Sequence, residues 1–299
     1  MRLLRGGALA ATFVAATLGA NAAQGQAGEP PVADRGSGSG SSERRAQPVW
    51  EAGIGFTALR LPDYRGAGRT RGYLLPLPYL VYRGPWLSVD RGGLRAELLD
   101  RGRLELDFSV NLSVPVRSDG NPAREGMPNL RPALEIGPQL RTRLWDSADR
   151  RSRLRLELPL RYAFALDSSL RDVGFVFHPR LDLSARDVFG MTGWNGSVVV
   201  GPMFATSRHH RYFYSVAPQY ATAARPAYDV GSGYSGTQLT LTMSKRFPKY
   251  WIGGFVRADW LDGATFADSP LVERRTSVSA GIGITWIIAE SAARVMRRD

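Results

Sequence analysis

Apolar and polar residues alternate with a period of two along most of the chain after residue 48. Between Arg103 and Val116 every even position carries an apolar side chain, while the odd positions are charged, polar or proline. A similar alternation runs through 131–145 and 153–166. A helix would spread both sets over its surface because successive residues are about 100° apart, whereas a strand separates them onto opposite faces. The pattern therefore predicts long amphipathic β-strands.

Twelve segments carry this pattern or a shorter piece of it, and they predict twelve strands. These segments are 49–61, 71–82, 86–90, 94–99, 103–116, 131–145, 153–166, 173–186, 194–205, 234–246, 250–261 and 276–288. The segments 86–90 and 94–99 are too short to cross a membrane. If 86–99 forms one strand the count is eleven, and if it folds inward the count is ten.

Strand length and connection length both distinguish a membrane barrel from a soluble sandwich. Most predicted strands run to about 12–15 residues, whereas strands of globular proteins usually have about 5–6 and membrane strands need about 9–11. Long connections fall on one side of the predicted sheet, at 62–70, 117–130, 206–233 and 262–275, and the others have at most seven residues. This asymmetry is typical of outer-membrane proteins. We therefore predict an all-β fold, a transmembrane antiparallel β-barrel, with a soluble β-sandwich as the alternative.

The first residues predict export from the cytoplasm. A basic start, an apolar run of 13 residues and the small residues Ala20-Asn21-Ala22 have the layout of a signal peptide over 1–22. A buried N-terminal helix is the alternative. Residues 23–47 are rich in Gly, Ser, Pro and Arg and predict a flexible periplasmic linker. The barrel would then occupy 48–288, followed by a basic periplasmic tail at 289–299.

Composition narrows the chemistry of this exported protein. The absence of cysteine excludes a disulfide scaffold, a cysteine-ligated zinc site, a thiol nucleophile and a lipoprotein anchor. Removal of the two arginines of the signal peptide lowers the formal charge from +12 to +10. An exported basic protein is not expected to meet nucleic acid. Its expected anionic surroundings are lipopolysaccharide and lipid headgroups of a Gram-negative outer membrane, peptidoglycan and solutes.

Charged side chains and one histidine share the strand face opposite the apolar one, so we expect them to point into the lumen. They are Arg103, Glu105, Asp107, Glu135, Arg141, Arg143, Arg153, Arg155, Glu157, Arg161, His178, Arg180, Asp182, Arg257 and Asp259. Two interpretations remain open. The charges pair and fill a narrow barrel, or a surplus of arginine favours anions in a small-solute channel.

Aromatic residues stand near the ends of many predicted strands, where they would form the girdles of a membrane barrel. They are Trp50, Tyr73, Tyr82, Trp86, Trp145, Trp194, Trp251, Trp260 and Trp286. Further aromatic residues lie in the longest connection, 206–233. This loop is expected either to fold into the barrel mouth or to pack on its neighbours.

Candidate catalytic chemistry is sparse, and we predict no catalytic, cofactor-binding or metal-binding residues. His178 and Asp182 share one strand face, so a hydrolase at the barrel rim is a remote alternative to a lumenal charge network. His209 and His210 are adjacent in the longest loop but lack further ligands at metal-binding spacing.

Five short motifs occur in an order and spacing that resemble the MipA/OmpV family of outer-membrane proteins. They are LPDYRG at 61–66, LPY at 77–79, YFYSV at 212–216, AYDVGSGY at 227–234 and DGATFADSPLV at 262–272. The resemblance covers 49–288, nearly all of the chain after the signal peptide. The tail beyond the last strand departs from the usual barrel ending at an aromatic residue.

The resemblance implies a non-enzymatic role. The namesake of the family is similar to a scaffold that joins a lytic transglycosylase to a bifunctional murein synthase, and other members are linked to osmotic response, adhesion or antibiotic uptake. No family motif assigns residues to these partners. A small-solute or anion-preferring channel stays the alternative function, and the sequence sets no oligomeric state.

Overall fold

The computed structural model describes the backbone of residues 45–83, 87–90, 93–96, 99–100 and 104–297. The predicted signal peptide, most of the predicted linker, Trp86 and Arg103 lie outside the described residues. For Tyr82 the backbone alone is described.

Sixteen strands and one α-helix occur in these parts of the chain. The strands are β1 (Arg45–Pro48), β2 (Trp50–Pro62), β3 (Thr70–Arg83), β4 (Leu87–Asp90), β5 (Gly93–Ala96), β6 (Leu99–Asp100), β7 (Leu104–Leu112), β8 (Ala133–Asp146), β9 (Ser152–Ala165), β10 (Arg171–Phe177), β11 (Arg180–Arg186), β12 (Trp194–Ala205), β13 (Gly233–Arg246), β14 (Tyr250–Trp260), β15 (Thr276–Glu290) and β16 (Arg294–Arg297). The helix α1 spans Ser207–Tyr214, and short 3₁₀ turns lie at Pro122–Arg124, Val188–Gly190 and Pro218–Tyr220. Within the described residues, no helix has the length and apolar character needed to cross a membrane.

One antiparallel sheet contains fourteen of these strands. Its order is β5-β4-β3-β2-β15-β14-β13-β12-β10-β9-β8-β7-β6, with β11 between β12 and β9. The sheet closes into a barrel because β5 lies alongside β7. Counting β10 with β11 and β5 with β6 as interrupted strands, the barrel has twelve strands, and the predicted all-β barrel fold is confirmed. The remaining strands, β1 and β16, pair with each other as a separate ribbon.

The predicted strand 103–116 is corrected at its end. β7 stops at Leu112, and beyond it a single bridge joins Val116 to Leu130. Pro115 lies in between and has no backbone N–H to donate to a neighbouring strand, so the ladder cannot continue regularly through this segment.

The predicted strand 173–186 is interrupted near its middle. Strand β10 ends at Phe177 and β11 begins at Arg180, with Pro179 in the gap. A bulge follows Asp172, where Gly174 has a φ of 94°. A Cβ at Gly174 would lie 2.2 Å from the Thr206 hydroxyl oxygen, so both backbone conformation and space require glycine there.

The two faces of the barrel wall follow the predicted alternation. Outward residues are exposed and apolar, as on β15, where Val278, Ile282 and Ile288 stand out from the wall. Inward residues of the same strand are buried and small or polar, as are Ser277 and Ser279. A barrel with an apolar exterior and a polar interior is suited to the bilayer.

The two ends of the barrel differ in their connections. We call one end the turn end, because short connections join the strands there, at 147–151, 187–193 and 247–249. We call the other the loop end. Its long connections are 63–69, 113–132, 206–232 and 261–275.

Candidate functional site

A chain of ion pairs crosses the inner wall over β7, β8, β9 and β11. Arg141 lies between two carboxylates, with Nη1 2.5 Å from Asp107 Oδ2 and Nε 3.1 Å from Glu157 Oε1. The other oxygen of Glu157 accepts from Arg180 Nε at 2.7 Å. All four side chains are buried. Opposite charges therefore alternate through the lumen instead of leaving a continuous positive surface.

Strand register creates two further pairs on the same wall. Arg155 is the cross-strand partner of Asp182, and Arg155 Nη2 lies 3.4 Å from Asp182 Oδ2. Arg161 donates through Nε to Glu135 at 2.9 Å and through Nη1 to the Ser109 hydroxyl at 3.2 Å. Buried guanidinium–carboxylate pairs of this kind offset the cost of removing each charge from water.

Near the turn end, a separate pair joins β2 and β13. Arg246 Nη1 donates to Glu51 Oε2 at 2.6 Å, and the Tyr79 hydroxyl donates to the same oxygen at 3.0 Å. Sequence reasoning missed Glu51 and Arg246. Glu51 shares the inward parity of Thr57, and this signal could have identified it.

Near the loop end, one carboxylate serves two guanidiniums. Asp259 is fully buried and lies 2.8 Å from Arg65 Nε and 3.3 Å from Arg257 Nε. The Gln238 amide also donates to Asp259 at 2.9 Å. Arg65 belongs to the 63–69 loop, so no strand periodicity could have placed it in the lumen.

The structure places the predicted lumenal residues in two groups. Those buried inside the barrel are Asp107, Glu135, Arg141, Arg155, Glu157, Arg161, His178, Arg180, Asp182 and Asp259. Those that remain partly exposed are Glu105, Arg143, Arg153 and Arg257. Arg143 and Arg153 both face Asp146 at the turn end, with Nε–O distances of 3.7 and 2.7 Å.

An apolar core covers the barrel at its loop end, and we call the four loops that build it the cap (63–69, 113–132, 206–232 and 261–275). Its centre is Phe266, which is fully buried and stacks on Tyr214 with ring centroids 3.6 Å apart. Buried residues from all four loops join this core. They are Tyr64, Ala67, Val116, Leu130, Val216, Val230, Leu261, Ala264, Ala267 and Leu271. The longest loop therefore packs on its neighbours across the mouth.

Two arginine side chains link the loops of the cap by donating hydrogen bonds to backbone carbonyl groups. Arg225 donates to the carbonyl oxygens of Tyr220, Ala123 and Glu125 at distances from 2.7 to 3.1 Å. Arg124 donates to a carbonyl of α1 at 3.3 Å. These bonds satisfy backbone oxygens that two irregular loops would otherwise leave unpaired.

His210 anchors α1 inside the cap. Its Nδ1–H donates to the Gly231 carbonyl at 2.8 Å, because that oxygen can only accept. Its Nε2 therefore accepts from the Ser235 hydroxyl at 2.6 Å. Burial, with smaller effects from His209 and Arg65, lowers the pKa of His210 to about 4. The imidazole is neutral at pH 7.

Acid should loosen the cap through His210. The folded-state pKa lies below the unfolded value of about 6.5, so its contribution is complete above that pH and is lost as pH falls towards 4. The difference corresponds to about 3 kcal/mol. We expect faster amide exchange in 206–232 at pH 4.5 than at pH 7.5, and a smaller pH effect in His210→Asn. Equal pH effects in both proteins would contradict this assignment.

The predicted aromatic girdle is divided between the two faces of the wall. At the turn end Trp50, Trp145, Trp194 and Trp286 face outward, and at the loop end Trp260 does so. Tyr73 and Trp251 lie instead on the inner face. Tyr73 is opposite the buried Leu59, and the Trp251 ring covers the inner side of Gly253. Whether a side chain lies on the inner or the outer face is decided by its odd or even position along the strand, and not by its nearness to the end of the strand.

Six further aromatic residues face outward near the loop end and complete the aromatic girdle there, and the sequence analysis missed them. They are Tyr162, Phe164, Phe175, Phe177, Phe204 and Tyr234. Their outward strand parity could have identified them. Aromatic rings at this level suit the interface between hydrocarbon and headgroups.

Two neighbouring turns at the turn end hold unusual backbone conformations. Arg150, Asp187 and Phe189 are the non-glycine residues with positive φ in the described part of the chain, and all three lie in 147–151 or 187–193. Phe189 is 93 % exposed. Hydrogen bonds from Gly190 N and Gly193 N to Asp187 hold this turn.

The histidines show no catalytic arrangement within the described residues. His178 is buried on the inner face of the wall, and Asp182 forms an ion pair with Arg155. His209 lies 3.8 Å from Glu135, at the junction of cap and lumen. No group of three or more His, Asp or Glu in the described segments is arranged to hold a metal ion.

Comparison with known proteins extends these observations. The chain resembles three solved structures: an outer-membrane channel from Pseudomonas putida F1 (12 % identity, 84 % of this chain and 100 % of that chain, TM-score 0.44), a bacterial polysaccharide outer-membrane secretin (10 %, 80 % and 99 %, 0.39) and outer-membrane phospholipase A from Escherichia coli (12 %, 81 % and 94 %, 0.34). No curated sequence matches the chain. The family model described as MltA-interacting protein MipA matches residues 54–288. The chain is therefore an outer-membrane β-barrel protein and belongs to the MipA family.

Proposed function

We propose that this protein is a non-enzymatic, non-conducting scaffold that presents its turn end to peptidoglycan-remodelling enzymes in the periplasm. The cap carries this proposal, because its packed core covers the mouth above a lumen of paired charges. The outer face of the wall contacts lipid, and lipopolysaccharide surrounds the loop end. The turn end remains as the surface for partners, and short turns of outer-membrane barrels face the periplasm.

The family name supports the choice of partner. Its description names an interaction with MltA, a lytic transglycosylase. We propose such an enzyme as one partner and a murein synthase as another. Residues 1–22 would be removed on export, and segments 23–47 and 289–299 would stand on the periplasmic side. The described parts of these two segments pair as β1 and β16.

Phe189 is the residue we propose as the docking anchor. A left-handed conformation costs a bulky residue about 1–2 kcal/mol, and strain of this kind persists where function uses it. The neighbouring turn carries Arg150 and Arg151, and the two turns are joined where Arg186 N donates to the Arg151 carbonyl at 2.8 Å. An exposed aromatic ring with two arginines on the adjoining turn fits an apolar pocket with acidic edges on a folded protein.

The substitution Phe189→Gly tests the contribution of Phe189 to docking separately from its contribution to stability. Phe189→Gly removes the ring and also relieves the backbone strain, so the barrel should unfold no more easily than the native protein. We expect crosslinked co-purification of the lytic transglycosylase to fall about tenfold or more. Leu170→Gly, an exposed apolar change at the loop end, should leave recovery unchanged. Full recovery with Phe189→Gly would refute the anchor, and no murein enzyme with native protein would refute the scaffold.

The channel alternative has its own measurement. A solute path would have to pass the cap and the ion pairs below it. We expect planar bilayers containing the native protein to show no steady conductance. Reproducible conductance steps with anion preference would favour the channel instead.

A further inference from the structure

Several buried nitrogen atoms of the described residues have no hydrogen-bond partner, and two of them belong to residues below the cap. One is Nε2 of His178, whose side chain is 3 % exposed, and the other is Nη2 of Arg65. Arg65 uses Nε on Asp259 and directs Nη1 to Met203 Sδ at 3.1 Å. An unsatisfied buried donor costs about 1–3 kcal/mol, so Arg65 Nη2 calls for an acceptor, as does His178 Nε2 in the tautomer that carries its proton there.

Strand register and one side-chain contact set the same residue, Met203, next to both His178 and Arg65. Strands β10 and β11 pair with β12 in a single continuous register, which sets His178 opposite Met203. Both residues are buried on the inner face, and such cross-strand partners have Cβ atoms about 5 Å apart. Arg65 also contacts the Met203 sulfur, so Met203 is a neighbour common to the Arg65 guanidinium and the His178 ring.

The local charge is positive at this place. Arg65 and Arg257 share the single carboxylate of Asp259, so within the described part of the chain one guanidinium charge is left without its own counterion. By contrast, Arg155 forms an ion pair with Asp182, and Arg161 forms one with Glu135.

We propose that this place binds one small monovalent anion of the size of chloride or bromide, held by Arg65 Nη2 and His178 Nε2. A neutral imidazole with its proton on Nε2 supplies one donor, and the guanidinium supplies the second donor and the compensating charge. The apolar side chains of Val176, Met203 and Ala205 form a buried cluster on the same part of the wall, which favours a small, weakly hydrated ion over a strongly hydrated oxyanion. The ion would tie the 63–69 loop of the cap to the barrel wall.

Bromide tests the site directly. Crystals of the full-length native protein grown in sodium bromide should show one anomalous peak in contact with Arg65 Nη2 and His178 Nε2. The melting temperature should also rise with bromide more than with sodium fluoride at equal ionic strength. A water molecule or empty density between the two nitrogens would overturn the proposal, as would equal melting temperatures in the two salts.

Variants distinguish the ion site from a general salt effect. Arg65→Lys keeps the charge but loses Nη2, so we expect the bromide-dependent rise in melting temperature to be largely lost. Arg246→Lys makes the same exchange in the turn-end pair with Glu51 and should keep the rise. His178→Leu should abolish it, while His178→Gln, which retains a donor, should restore part of it. If the variants fail to fold, the anomalous peak in the native protein decides.

Discussion

Replacing Glu157 with glutamine should destabilise the folded barrel by about 3–5 kcal/mol. The carboxylate accepts from Arg141 and Arg180, and all three groups are buried. Glutamine has nearly the same shape but no charge, so both buried guanidiniums would lose a carboxylate that now compensates them, and Arg141 would keep Asp107. Urea unfolding in lipid vesicles, followed by tryptophan fluorescence, measures the loss as a lower midpoint at an unchanged slope.

Asp146 offers a matched control for this experiment. It also serves two guanidiniums, those of Arg143 and Arg153, but all three side chains are about one-third exposed at the turn end. Water already solvates these charges, so Asp146→Asn should cost no more than about 1 kcal/mol. Equal effects of the two substitutions would show that burial does not govern the lumenal pairs.

Replacing Phe266 with alanine should open the cap while leaving the barrel folded. Phe266 is fully buried, stacks on Tyr214 and meets the His210 ring edge-on at 5.1 Å. Removing a buried phenyl ring costs about 3–5 kcal/mol. Because the core of the cap is made by loops and the ladder by strands, the loss should be local. Hydrogen exchange should accelerate in 206–232 and 261–275 and stay slow in β13 to β15.

Phe175 is the control for this second substitution. It lies on the outer face near the loop end and is 48 % exposed, so its ring adds nothing to the core of the cap. Phe175→Ala should leave exchange in the cap loops unchanged. If Phe266→Ala also left it unchanged, the cap would not be held by its apolar core.

The extent and facing of the strands could be read from the sequence. A period of two is a local property of the chain, so it placed Asp107, Arg141 and Glu157 together on the inner face. Tyr73 and Trp251 were predicted to join the aromatic girdle because they stand near strand ends, whereas their positions along the strands place them on the inner face. Pro115 and Pro179 limited two strands that the apolar pattern alone would have continued.

Contacts between distant parts of the chain could not be read in this way. Whether the lumenal charges pair or attract free anions depends on strand register, which sets Arg155 beside Asp182 and Glu157 beside Arg180. The pair of Arg65 with Asp259 joins residues 194 positions apart, and one of them lies in a loop without periodicity.

Alternation by itself determined that this chain builds long strands with one apolar and one charged face, because side-chain direction along a strand is fixed residue by residue. Tertiary structure alone decided that most of the interior charges form ion pairs and that four loops pack across the mouth. Those outcomes depend on which strands become neighbours and on how irregular loops pack, and both are set by contacts between residues far apart in the chain.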